Sequence, residues 1–403
     1  MTRPNASWIT RAVIGIVLAT FFSDFSHEMA TAVLPMYLAS IALGPAALGV
    51  IEGVADFLVS ISKLAGGVVG HRVTAKRPLA SLAYLVTALG TAGIGLTGNV
   101  VALMSLRSVA WVGRGFRGPL RDHLLAGAVE RSHYGRAYGL ERAGDMLGAV
   151  AGPLVAALLI WLAIDFRTVI LWTLLPGVAA ASAMFFLTRG AERGAEAESE
   201  TQRRPTRAAF PRAYWTFLAG VSLFGLGDFS RTFLIWLAAS ALGESGIQTG
   251  GSVSIAVLLY ASHNLIAAVA AYPVGRFGDR SSKLRVLVGG YGLGVVTNVL
   301  LAVAGGSLGL LVVAIVLSGI YISVEETLEK AVAAELLPVE LRSLGFGILA
   351  SANAVGDMLS SLYVGLLLQR GEPQWGFGLA AALGAAGVTW MVAVAVRQAP
   401  KTA

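Results

Sequence analysis

Residues 67–72 read GVVGHR and residues 275–280 read GRFGDR, two versions of one phrase set 208 positions apart. Each closes an apolar run and opens a basic loop: Lys76 and Arg77 follow the first copy, Lys283 and Arg285 the second. Further out, Asp24-Phe25-Ser26 recurs as Asp228-Phe229-Ser230 at an offset of 204, and Arg136 recurs as Arg342 at an offset of 206. A nearly constant offset across the whole chain is the mark of a duplicated unit. The sequence therefore divides into two related halves.

What each half is made of follows from composition. The chain has 403 residues, of which 56% are hydrophobic and only 13% charged, and its mean hydropathy is +0.73. A soluble domain cannot hide that much apolar surface, so the class is a multi-pass membrane protein. Apolar segments recur at about 20 residues, enough to cross a hydrocarbon core of roughly 30 Å at about 1.5 Å per residue. The reading is twelve spans, at about 11–39, 46–70, 78–98, 100–126, 137–162, 168–188, 213–241, 250–275, 284–304, 308–334, 342–369 and 374–397. The first span is read as a retained helix rather than a cleaved leader, because it is long and Asp24 interrupts it.

The one extended hydrophilic segment, TRGAERGAEAESETQRRPTRAAFPR at 188–212, mixes both charges without apolar periodicity. It reads as a linker. The expected organisation is a first six-helix bundle over 1–188, a cytoplasmic linker over 189–212 and a second six-helix bundle over 213–403.

Loop charges give the orientation. With both termini in the cytoplasm, Arg72, Lys76, Arg77, Arg131, Arg136, the linker arginines, Arg276, Arg280, Lys283, Arg285, Arg342, Arg397 and Lys401 lie inside, against Arg167 and Arg370 outside. That asymmetry follows the positive-inside rule and accounts for the net charge of +7 without a nucleic-acid partner. The partners expected are a small-molecule substrate, protons and membrane lipids, around a monomer in a bacterial inner membrane. The chain has no cysteine, which excludes disulfides, thiol catalysis and Cys-based metal sites. No phosphate-binding Gly-rich loop or ATPase domain is present, and no cofactor is expected.

With twelve spans, a duplicated unit and those loops in hand, the chain resembles a major facilitator superfamily (MFS) secondary transporter along essentially its whole length. The family's loop signature is matched by Gly275, Asp279, Arg280 and Lys283; the first copy matches through Gly67, Arg72, Lys76 and Arg77 but has His71 at the Asp position. Gly148, Gly152 and Pro153 in span five are similar to the signature of the family's twelve-span proton-coupled exporters, and Arg107 in span four resembles its intramembrane arginine. The resemblance implies an all-α fold of two pseudo-symmetric six-helix bundles, with a central cavity lined by spans one, two, four, five, seven, eight, ten and eleven.

Charge inside the spans is costly, about 2.5–3.5 kcal/mol per residue at a helix centre on the insertion scale, and marks pathways or ion pairs. Residues three and four apart share a helix face. Asp24, His27 and Glu28 therefore make one stripe, Glu52, Asp56 and Lys63 a second, Glu141 and Asp145 a third, and Asp228 and Arg231 a fourth, while His263-Asn264 sits mid-span in eight. Spans three, six, nine and twelve carry essentially no charge. Together with Arg107, the stripe residues are the candidates for substrate binding or proton coupling. Each charged pair also reads as a structural staple between helices, and His263 as a hydrogen-bonded cavity wall.

Span four ends on Arg114, Arg117 and Arg121, and its repeat mate, span ten, carries Glu325, Glu326 and Glu329, followed by Lys330. Opposite charges at matching height suit ion pairs that form when one side closes, so these six join Arg72, Asp279 and Arg280 as candidate gate residues. The other reading is that the arginines attract anionic lipid. The functional expectation is proton-coupled export of a small organic molecule by alternating access. Asp24, about 15 Å along its helix and so near the midplane, is the expected coupling carboxylate, with His27 one turn away tuning it. Two alternatives stay open: a divalent-metal transporter using His27, Glu28, Met29, Asp24, Glu52 and His263, and an intramembrane acid–base enzyme, against which the duplicated half counts. The charge of the substrate is open.

Overall fold

The computed structural model describes residues 8–41, 45–191, 209–229, 233–234, 237, 249–305 and 307–398. Its helices are α1 (Arg11–Ser40), α2 (Pro45–Arg72), α3 (Lys76–Gly93), α4 (Val100–Ala128), α5 (Tyr134–Trp161), α6 (Phe166–Trp172) and α7 (Leu174–Leu187), then α8 (Arg212–Gly225), α9 (Thr249–Arg280), α10 (Lys283–Val303), α11 (Leu308–Leu336), α12 (Arg342–Gln369) and α13 (Pro373–Gln398). Thr173 keeps right-handed helical angles between α6 and α7, so these two form one rod and the described helices make twelve. The linker residues 192–208 and Arg231 lie outside the described residues, as do the side chains of Glu52 and Asp56.

Seven stretches among the described residues are long and apolar enough to cross a membrane: Arg11–Leu34, Lys76–Leu96, Arg131–Trp161, Phe166–Leu187, Lys283–Val303, Leu308–Leu336 and Pro373–Val396. α4 falls short because Arg107, Arg114 and Arg117 lower its hydropathy, and these turn inward. The charge-poor rods α3, α6–α7, α10 and α13 instead present large apolar side chains outward, among them Leu82, Leu89, Leu175, Phe186, Val303, Trp390 and Val396.

Packing repeats as the sequence does. In the first set α5 lies on α1, α4 on α2 and α3, and α7 on α1 and α3; in the second, α12 lies on α8, α11 on α9 and α10, and α13 on α8 and α10. The two sets meet along α5–α9 and α2–α12. The repeat exchanges α2 with α9 and α5 with α12, so it maps one seam onto the other, and the halves are related by a pseudo-two-fold axis.

Without a hydrophobic drive between helices in lipid, close approach depends on small residues. At the α5–α9 seam a Cβ on Gly275 would stand 2.0 Å from the Gly135 carbonyl oxygen; at the α2–α12 seam a Cβ on Gly67 would stand 2.9 Å from the Gly347 Cα. The leading glycine of each loop phrase is thus where the halves touch.

The rod expected over 213–241 is not one uninterrupted helix. α8 ends at Gly225, and residues 226–229 are non-helical before helical residues resume at 233–234. The carbonyls of Leu226, Gly227 and Asp228 accept hydrogen bonds from the Tyr363 hydroxyl (2.9 Å), the Asn298 amide (2.9 Å) and the Ser360 hydroxyl (2.5 Å). Irregular backbone at membrane depth is tolerated where protein groups satisfy it in this way. Asp228 therefore sits on a break rather than a helical stripe.

Gly275→Val should wedge α5 from α9 and lower Tm of the purified protein, in line with about 1–3 kcal/mol for overpacking. Gly289→Ala, with open space where the Cβ would go, should leave Tm unchanged. Equal melting of both variants would mean that the seam is looser than the structure has it.

Candidate functional site

Arg107, Arg114, Arg117 and Arg121 fall three, four and seven apart on α4, so they share one face. Three of them are buried and Arg114 keeps a 23% exposed side chain. Asp24 on α1, 2% exposed, meets two of them: Arg114 Nη1 lies 3.0 Å from Oδ1, its Nη2 donates to Oδ2 at 3.2 Å, and Arg117 Nη2 lies 3.6 Å away. Arg117 also donates to the Ser23 hydroxyl and stacks 4.2 Å from the centre of the Tyr84 ring. His27 packs edge-on to Trp111 at 4.8 Å and stands 4.0 Å from Glu28; Arg107 lies over Trp111 at 5.1 Å and donates to Thr31. Removing one partner from such a buried pair costs about 3–5 kcal/mol, because it leaves the other charge unanswered.

Beside this cluster lies a cavity of about 300 Å³ between the two helix sets. Its first-half wall presents Asp24, Lys63, Trp111, Arg114, Arg117, Arg121, Asp122, Arg142 and Asp145; its second-half wall presents Asp228, Glu325, Glu326, Glu329, Lys330, Phe346, Leu349, Asn353 and Asp357. On the first wall, carboxylates and arginines match. Arg121 pairs with Asp122 and Glu141, each at 2.9 Å, and Arg142 pairs with Asp145. On the second wall neutral donors take that part: the Tyr321 hydroxyl donates to Asp228 at 2.5 Å, and Glu329 accepts from the Tyr291 hydroxyl and from the Asn353 amide at 2.7 Å. Two bridges cross the cavity. Arg142 reaches Glu326 at 2.5 Å, and Lys330 lies 3.9 Å from both Asp122 and Glu141.

The end of the bundle holding the loop phrases is shut. Asp279, its side chain fully buried, accepts hydrogen bonds from the backbone amides of Gly135 (2.8 Å) and Arg136 (2.9 Å) at the start of α5, where unsatisfied N–H groups favour a carboxylate. Arg136 and Lys283 complete its shell at 3.0 and 3.2 Å. His71, at the repeat position, instead places Nδ1 2.7 Å from the Glu340 carbonyl oxygen. Ahead of α1, Trp8 stacks with His133 and with Tyr272 of α9, and Arg136 lies over its ring, so the chain's N-terminal segment straps the same seam.

A duplicated helical bundle, two symmetric seams and a charged central cavity correspond to one family, whose sequence profile, the Major Facilitator Superfamily, matches residues 16–262 and 229–403. The chain belongs to the major facilitator superfamily. It is similar to an uncharacterized MFS-type transporter of Methanocaldococcus jannaschii, 23% identical over 364 residues and covering 90% of each chain. Its fold is similar to that of a human organic anion transporter (14% identity, TM-score 0.73, 94% of this chain and 99% of that one). It is similar also to a proton:xylose symporter of the superfamily (15% identity, TM-score 0.70, 95% of each chain). The protein is a multi-pass membrane transporter, not an intramembrane enzyme.

Within this MFS transporter, Asp24, Arg114, Arg117, Arg121, Asp145, Asp228, Glu325, Glu326 and Glu329 line the cavity, and Glu141 stands behind it on Arg121. Glu28 is on the same face of α1, with a 32% exposed side chain. His263 and Asn264 are buried on α9, bonded to each other at 3.2 Å, with Ser318 3.0 Å from His263 Nε2; they do not line the cavity. Arg72 and Arg280 are exposed at the helix ends. Gly148 and Gly152 pack α5 on α1, where an added Cβ would stand 2.3 Å from the Phe21 carbonyl oxygen and 2.5 Å from that of Phe25. Among the described residues no three His, Asp or Glu side chains converge as a metal site.

The pair seen between α4 and α11 has the opposite polarity to the expected one, with Asp122 of α4 facing Lys330 of α11 at 3.9 Å. Arg117 and Arg121 are committed to Asp24 and to Asp122 and Glu141, and the crossing to Glu326 is made by Arg142 of α5. Sequence reasoning passed over Arg142, Asp122, Asn353 and Asp357, and noted Lys330 beside the span-ten glutamates without giving it a role. The signal for Arg142 was its place between Glu141 and Asp145; for Lys330 it was the one cation beside three glutamates.

Arg142→Gln and Glu326→Gln, made singly and together, should show a coupling of about 1–3 kcal/mol in thermal stability, whereas Arg121→Gln with Glu326→Gln should be additive to within about 0.5 kcal/mol. The reverse pattern would restore the α4–α11 bridge.

Proposed function

We propose that the chain is a proton-coupled exporter of a small organic molecule, a monomer in a bacterial inner membrane with both termini in the cytoplasm, whose halves 1–188 and 213–403 rock about the central cavity. The observation that carries this reading is that both seams close at one end through polar contacts that water can replace, around a cavity deep in the bundle. Asp279 on the α5 amides, His71 on the Glu340 carbonyl and the Arg142–Glu326 bridge can each part when the halves rock. The positive-inside pattern of the loop charges supports the cytoplasmic side for that end.

Asp24 is the coupling carboxylate in this reading. A proton there removes the charge that holds Arg114 and Arg117, so the α4 face is freed when the proton binds and recaptured when it leaves. His27, one turn along α1 and against Trp111, adjusts the proton's access.

The chain has no native cysteine, so Ala350→Cys, on the cavity wall, is a clean reporter. Labelling by an impermeant maleimide applied from each face should shift between faces as pH moves across about 5 to 8, the range over which a coupling proton is exchanged. Asp24→Asn should hold the low-pH pattern at every pH, and His27→Ala should displace the midpoint without abolishing the shift. Labelling in Asp24→Asn that still follows pH would make Asp24 a structural charge.

A further inference from the structure

The two cavity walls are not equally neutralised. Each first-half arginine of the cavity is answered by a carboxylate of its own half, and Lys330, the cation of α11, leans across to that half as well. Glu325 is left behind on the second wall. It is 5% exposed, it lines the cavity, its Oε2 accepts no hydrogen bond, and it makes no ion pair among the described residues. Its carboxylate neighbours Asp228 and Glu329 accept hydrogen bonds from the hydroxyls of Tyr321 and Tyr291. In that setting a carboxylate has to hold a proton or meet a counter-charge, and no cation among the described residues pairs with Glu325, although Lys63 lines the same cavity. Beside it, Phe346 and Leu349 give the same wall an apolar patch.

We propose that the solute is a small organic cation whose charged nitrogen sits against Glu325, with its alkyl groups on that apolar patch. The proposal rests on the transporter reading above. A single diffuse charge suits the site better than a divalent ion, since no three ligating side chains converge there among the described residues. A volume of about 300 Å³ suits an alkylammonium compound.

The test is thermal stabilisation of the purified full-length protein by choline and by tetraethylammonium. The uncharged choline isostere 3,3-dimethyl-1-butanol and the anion 3,3-dimethylbutanoate serve as matched controls, because binding to the native state raises Tm by mass action. At least one cation should raise Tm in a saturable way while the neutral and anionic isosteres do not. The isosteric Glu325→Gln should weaken that cation's apparent affinity about tenfold or more, the loss expected for a charge-assisted contact. Asp165→Asn, in the loop before α6, should leave it unchanged. Should Glu325→Gln fail to elute as a single species, Glu325→Asp takes its place and should keep a cation-specific but weaker shift. No shift with either cation, an equal shift with the alcohol, stabilisation by the anion alone, or full affinity in the Glu325 variant would each overturn the proposal. None of these outcomes touches the pH-dependent labelling of Ala350→Cys, so the solute class and the transport cycle stand or fall separately.

Discussion

A carboxylate carried into a bilayer has to be answered by a nearby positive charge or a proton, and most of this molecule's interior follows from how Asp24 is answered. Arg114 and Arg117 reach it only if α4 turns its basic face toward α1, and that turn brings Arg121 to Glu141. Glu141 and Asp145 lie on α5, which packs on α1 through Gly148 and Gly152. One ion pair thus sets the mutual rotation of three helices, and the cavity is the space their polar faces leave. Buried ion pairs add little net stability, but they penalise every alternative rotation severely.

The duplicated architecture was legible in the sequence because a repeat needs only recurrence: Gly67 with Gly275, Asp24 with Asp228, Arg136 with Arg342. The inner and outer helices were legible from the distribution of charge, since lipid tolerates none on spans three, six, nine and twelve. Which charges meet was not legible. Helical periodicity says that Arg142, Glu141 and Asp145 fall within one turn, but not that α5 lies against α11, so Glu326 was assigned a partner on α4. The break at 226–229 was hidden for a related reason. Its residues read as apolar helix, and the donors that make the break tolerable, Tyr363, Asn298 and Ser360, lie about 70 to 140 positions away.

Glycine at the seams shows the same division between pattern and contact. The phrases GVVGHR and GRFGDR read as loops in the sequence, but they form the last turns of α2 and α9, and their leading glycines gain a physical reason only when the opposing backbones are in place. Asp279 is a loop residue in the sequence and, in the structure, a cap on a helix belonging to the other half.

The His71 position makes the two seams unequal. The pseudo-two-fold axis relates the backbones of the two seams but not their polar contacts: at one, a buried carboxylate sits on two amides with two cations around it, and at the repeat position of the other an exposed imidazole faces a carbonyl. The symmetric frame thus carries unequal fasteners: the α5–α9 contact is sealed from water, and the α2–α12 contact at His71 stands open to it.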